Sequence, residues 1–138
     1  MGLYYRTWMD CIKRMRSRES NKEDWQEKCM ISMTVAMGTN LLLIMVILQK
    51  NIIGYYFYEI NIPSLSEQLN YIITIIILYL LPCAGINYLL IYHGKRYEKL
   101  MEKYPYYNGK LFFSYFMISI FLPVILLIGG KLIYNLND

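Results

Sequence analysis

The amino-acid sequence predicts an all-α membrane protein: three transmembrane helices, an N-terminal amphipathic interfacial helix and a cytoplasmic helical extension of the second span. Three observations carry this expectation. The chain has 138 residues with 14 Lys or Arg and 10 Asp or Glu, yet residues 29–49, 68–92 and 111–130 contain no charge. At ~1.5 Å per residue, windows of 21, 25 and 20 residues are long enough to cross a hydrocarbon core ~30 Å thick. The basic residues outside them are distributed unevenly, and residues 3–16 repeat with helical period.

These boundaries divide the chain into a basic N-terminal segment at 1–28, a bundle at 29–134 with spans of about 29–53, 68–92 and 111–134, and an external tail at 135–138. The remaining segments are too short to bury separate soluble cores. A bundle this thin cannot enclose much of a pore alone, so any transport role requires an oligomer or a partner.

Orientation follows from Lys and Arg counts. The N-terminal segment carries seven and the second loop five, whereas the first loop has only Lys50 and the C-terminal tail only Lys131. The N-terminus is therefore expected in the cytoplasm and the C-terminus outside. The first span follows 28 polar or amphipathic residues and lacks a small-residue cleavage site, which predicts an uncleaved signal anchor. Abundant Ile, Tyr, Asn and Lys suggest an AT-rich bacterial genome and hence the bacterial inner membrane.

In residues 3–16, Tyr4, Trp8, Ile12 and Met15 form one stripe, while Arg6, Asp10, Lys13 and Arg14 lie elsewhere. This pattern predicts a helix at the membrane interface, with Trp8 at headgroup depth and Lys13, Arg14 and Arg16 facing anionic lipid. The alternative is packing on the chain's own second loop or on a partner. Ser20 and Glu23 have capping-box spacing ahead of Trp25. In the first loop, Tyr55-Tyr56-Phe57-Tyr58 suits an interfacial aromatic belt.

In the second loop Tyr97, Leu100, Met101 and Tyr104 share one helical face, and Lys95, Lys99 and Lys103 another. With Arg96, these lysines form a second candidate surface for lipid or a protein partner. Gly94 is the expected bend. Pro105 stops the helix, and Asn108-Gly109 turns the chain into the third span.

Within the spans, Asn40, Pro82, Cys83 and Pro123 are the candidates for interhelical packing or a hinge. Proline frees carbonyls such as that of Leu78, to which the Asn40 amide is a potential donor. Small residues mark expected seams: Ser32, Ala36, Thr39 and Asn40; Asn70, Thr74, Ala84 and Gly85; Ser119, Pro123 and Gly130.

No Asp, Glu, Lys, Arg or His falls inside the three charge-free windows, and Lys50 and Lys131 stand only at the outer ends of the first and third spans, so a proton relay or charged pore lacks its usual working groups. His93 is the only histidine, and Cys83 stands ~15 Å from it along the same helix. The three cysteines, Cys11, Cys29 and Cys83, have no zinc-site spacing and are expected as reduced thiols. No catalytic set, cofactor or metal site is expected. Gly129-Gly130-Lys131 lacks a phosphate-loop context, and positive-inside bias accounts for the basic flanks without nucleic acid.

These observations predict a non-enzymatic accessory or scaffold subunit of a membrane complex, with anionic lipid headgroups and either a protein partner or further copies of itself as neighbours. The alternative is an oligomeric membrane-permeabilising effector, such as a phage-defence effector, toxin or holin-like protein. No motif is specific enough to name a family.

Overall fold

The computed structural model describes the backbone of residues 2–18, 23–54 and 60–135, and the side chains of these except 50, 53 and 127–135. The aromatic residues 55–58, Ser20 of the expected capping box and residues 136–138 of the tail lie outside the described residues. All regular elements among the described residues are helical. They are α1 (Gly2–Ser17), α2 (Trp25–Leu48), α3 (Glu67–Ile75), α4 (Leu81–Asn87), α5 (Arg96–Lys103) and α6 (Lys110–Asn135).

Trp25–Leu48 and the helical run Glu67–Lys103 are long and apolar enough to cross a membrane. The apolar part of α6 with described side chains, Lys110–Leu126, is shorter. Only 22% of the apolar window in each of the two long runs is buried within the chain. Ile44 and Val46 on α2, Ile72 on α3, and Phe113, Ile118 and Ile125 on α6 are exposed.

Helix α2 begins after Asp24 and passes into a π turn at Gln49–Ile53. Gly54, at φ 75°, ends it by donating its N–H to the Gln49 carbonyl at 2.8 Å. Ser66 opens α3, its hydroxyl accepting the Leu69 N–H at 3.5 Å. A π segment at Ile76–Leu80 joins α3 to α4. It lies immediately before Pro82, whose ring would clash with the Leu78 carbonyl in a regular helix. In the wider turn the Leu81 N–H bonds to the Ile76 carbonyl, five residues back.

A second π segment, Tyr88–Tyr92, closes this run. The expected bend at Gly94 is a break. His93 has ψ 125°, while Gly94 and Lys95 take left-handed φ values of 63° and 54°. Helix α5 therefore starts anew rather than extending the second helix continuously, and it packs against α1 and the Tyr88–Tyr92 segment. Its expected apolar face, formed by Tyr97, Leu100, Met101 and Tyr104, is the face that packs on the core.

The core lies where α1, α2, α6 and the Tyr88–Tyr92 segment converge. Trp8, Met9, Cys11, Ile12, Cys29, Met33 and Ile91 are its buried members. In α1, the six consecutive residues Thr7–Ile12 are all buried, so protein covers more than one face of the helix. Trp8, expected at headgroup depth, is fully enclosed. The amphipathic stripe is the same whether an apolar face meets lipid or protein, and here protein meets it.

Candidate functional site at the α1–α6 junction

Helix α6 begins without a side-chain cap of its own. Gly109 precedes it with φ 77°, Asn108 has φ 57°, and both conformations lie in the left-handed region. The unpartnered N–H groups of such an end need acceptors. Asp10, fully buried on α1, supplies them. Its Oδ1 accepts from Tyr107 N at 2.9 Å and Gly109 N at 3.0 Å. Its Oδ2 accepts from Leu111 N at 2.9 Å and Phe112 N at 3.3 Å. A carboxylate at a helix N-terminus also complements the helix dipole. Sequence reasoning placed Asp10 on the polar side of α1 and missed this role, because the acceptor is 99 residues from Gly109.

Most of the expected docking cations also serve the chain itself. Lys13 Nζ donates to the Tyr104 carbonyl at 2.9 Å. Arg16 lies 5.3 Å over the Trp25 ring and contacts the Met101 sulfur at 3.6 Å. Arg96 donates to the Leu89 carbonyl at 3.4 Å, and Lys103 lies 5.9 Å over the Tyr104 ring. Tyr5 stacks on Tyr104 with ring centroids 6.2 Å apart. The Lys13–Tyr104, Arg16–Met101 and Tyr5–Tyr104 contacts bind α1 to α5 and its C-terminal end. Lys95 and Lys99 are exposed.

Arg14 lies at the edge of the junction. A Cβ built on Gly109 would stand 2.9 Å from Arg14 Cγ, so the arginine stem runs directly over the glycine. Beside it is a cavity of about 530 Å³, whose lining includes Arg14, Arg18, Lys110, Phe112, Phe113 and Phe116.

Two polar links join the helices below this end. The Tyr4 hydroxyl donates to Asn87 Oδ1 at 2.8 Å, and Asn87 Nδ2 donates to Thr34 Oγ1 at 3.2 Å. Burial pushes the Tyr4 phenol up from 10.0 to about 12. Because the folded value exceeds the unfolded one, the contribution is fully present below about pH 10 and is lost as pH rises to about 12. The melting temperature in detergent should therefore fall across that window, and Tyr4→Phe should reduce that fall.

In the second link Asn40 Nδ2 donates to Ser119 Oγ at 2.9 Å and Tyr115 Oη at 3.3 Å. The Ser119 hydroxyl donates in turn to the Tyr115 carbonyl at 2.8 Å. Asn40 thus joins α2 to α6 rather than serving the Leu78 carbonyl. Asn40→Leu is expected to cost about 1 kcal/mol, the scale of one interhelical polar contact in membrane proteins. Unfolding in graded denaturing detergent measures this loss, and an unchanged midpoint would remove the link from the account.

The other helix candidates are dispersed. Pro82 is exposed, Cys83 is buried, and Pro123 lies inside α6 without ending it. Of the expected seam residues, Ala36 is buried, whereas Gly85 is exposed with no neighbour for an added Cβ. Gly38 is the close approach that the sequence reading missed: a Cβ there would come within 2.6 Å of Leu80 Cδ2. Asn70 and Thr74 hold the preceding loop rather than another helix, accepting the N–H groups of Ile62 at 3.2 Å and Ile60 at 3.1 Å.

Cys11 and Cys29 stand together in the core as free thiols. A hydrogen bond between them, with burial, pushes the Cys11 thiol up. Their separation in sequence concealed the pairing. His93 is exposed beside Tyr88, with ring centroids 6.4 Å apart. Among the described residues, no group of three or more His, Cys, Asp or Glu is placed to hold a metal ion. No protein-family model, curated protein or solved structure matches the chain.

Proposed function

We propose that the chain is a three-span bacterial inner-membrane protein acting as a non-enzymatic accessory or scaffold subunit of a membrane complex. Its N-terminus and α5 lie in the cytoplasm and its C-terminus lies outside. The observation that carries the membrane reading is uncovered apolar surface: 22% of each long apolar window is buried in the chain. A core helix of a soluble protein would be mostly covered, whereas lipid accommodates helices whose backbone groups are paired internally. Helix α6, with 26 residues, has a length of roughly 39 Å and serves as the third span.

The contacts between α1 and α5 support the orientation, since they join the two basic segments assigned to the cytoplasm by charge counting. Asp10, Lys13, Arg16 and Arg96 have internal structural partners, which supports a scaffold rather than an assembled reaction centre. Anionic lipid headgroups or a soluble partner would meet the exposed lysines Lys95 and Lys99. Neither a cofactor nor nucleic acid enters this reading.

Purification from the native host in mild detergent, followed by mass and composition analysis, tests the assignment. A second protein in fixed stoichiometry is the expected result. A homo-oligomer of four or more copies that makes liposomes leak would replace it with the permeabilising alternative. A C-terminal alkaline phosphatase fusion should be active, and an inactive, stably expressed fusion would overturn the orientation.

A further inference from the structure

We propose that the cavity between α1, α2 and α6 binds one anionic phospholipid, with its headgroup at Arg14, Arg18 and Lys110 and an acyl chain against Phe113, Phe116 and Met117. All six residues line the same space of about 530 Å³. The inference rests on the reading of α6 as a span that starts at the cytoplasmic surface.

Charge and shape together select an amphiphile. Arg14 is held by its stem across Gly109, next in sequence to Lys110, while Arg18 is exposed just beyond α1. Asp10, one turn before Arg14, has both oxygens engaged by backbone N–H groups. Among the described residues, three cations and no carboxylate line the cavity. A free phosphate would use the cations but leave the aromatic wall uncovered. Phe113 is 60% exposed, and Phe112 and Phe116 continue the apolar surface with ring centroids 5.9 Å apart. A headgroup and the start of its acyl chain satisfy both parts.

The test is native mass spectrometry of the delipidated full-length protein, titrated with phosphatidylglycerol or with phosphatidylcholine of the same acyl chains. One phosphatidylglycerol per chain is expected, favoured about tenfold over phosphatidylcholine. Removing a cation near an anionic headgroup should weaken phosphatidylglycerol binding about fivefold in each of Arg18→Gln and Lys110→Gln, with phosphatidylcholine unaffected. Both positions are exposed, and unchanged melting temperatures would show that the variants are folded.

Equal binding of the two lipids, or no loss in either folded variant, would overturn the site. Complete displacement by excess inorganic phosphate would reduce it to an anion site and overturn the acyl assignment. Alkaline extraction of membranes separates the two levels of inference. A chain released as soluble protein defeats the spanning reading, whereas a retained chain without lipid preference defeats this site alone.

Discussion

Replacing Asp10 with Ala should destabilise the protein by about 3–5 kcal/mol, the largest effect expected of any single polar substitution. Hydrogen bonds to a charged group contribute about 1.5–3 kcal/mol each, and buried donors left without acceptors add a penalty. Four N–H groups at 2.9–3.3 Å converge on this carboxylate. The sum is below four independent bonds because water can reach a loosened helix end. Asp10→Asn keeps one acceptor oxygen and should lose roughly half as much. Denaturing-detergent titration of both variants measures the difference. Hydrogen exchange at Gly109, Leu111 and Phe112 should accelerate in Asp10→Ala, and unchanged exchange there would show that α6 does not depend on this cap.

Trp8→Ala is expected to cost a further about 3–5 kcal/mol, the range for removing a fully buried aromatic side chain. The ring is completely enclosed and meets Tyr92 edge to face, with centroids 5.8 Å apart and planes at 83°. Trp8→Phe preserves much of the volume and should recover more than half of the loss. The measurement distinguishes enclosure from an interfacial position. A Trp lying among headgroups would contribute little to stability in detergent, and acrylamide or brominated lipid would quench it. Trp8 should resist both quenchers in a Trp25→Phe background. Easy quenching together with a small change in stability would place α1 outside the bundle.

The helical content was legible because charge-free windows and turn residues are local signals. Windows 29–49, 68–92 and 111–130 each fall within helical segments, and Asn108-Gly109 adopts the expected turn before α6. The apolar face of α5 was equally legible from the spacing of Tyr97, Leu100, Met101 and Tyr104. Asn40 was identifiable as an interhelical residue, although its acceptors are side chains on α6 rather than a carbonyl freed by proline.

What could not be read is the partner of each polar group. Asp10, on the charged side of an amphipathic helix, looks solvent-facing until a distant chain segment brings four donors to it. Arg16 and Lys13 contribute to a charge count in the same way whether they meet lipid or Met101 and the Tyr104 carbonyl. Periodicity also cannot distinguish a lipid-facing Trp8 from one covered by protein. The break at Gly94 was visible as a weak point, but the additional left-handed turn of Lys95, a residue type that rarely adopts it, was not.

The Asp10 cap also imposes an order on biogenesis. Its donors emerge from the ribosome about 5–20 s later, given a separation of 99 residues and ordinary elongation rates. Throughout that interval α1 carries a charged side chain and an apolar face without their final neighbours, and α6 cannot complete its first turn natively until it docks on Asp10. The N-terminal segment therefore acts as a latch for the whole chain. A fragment ending before Tyr107 would leave the Asp10 carboxylate without its four backbone donors.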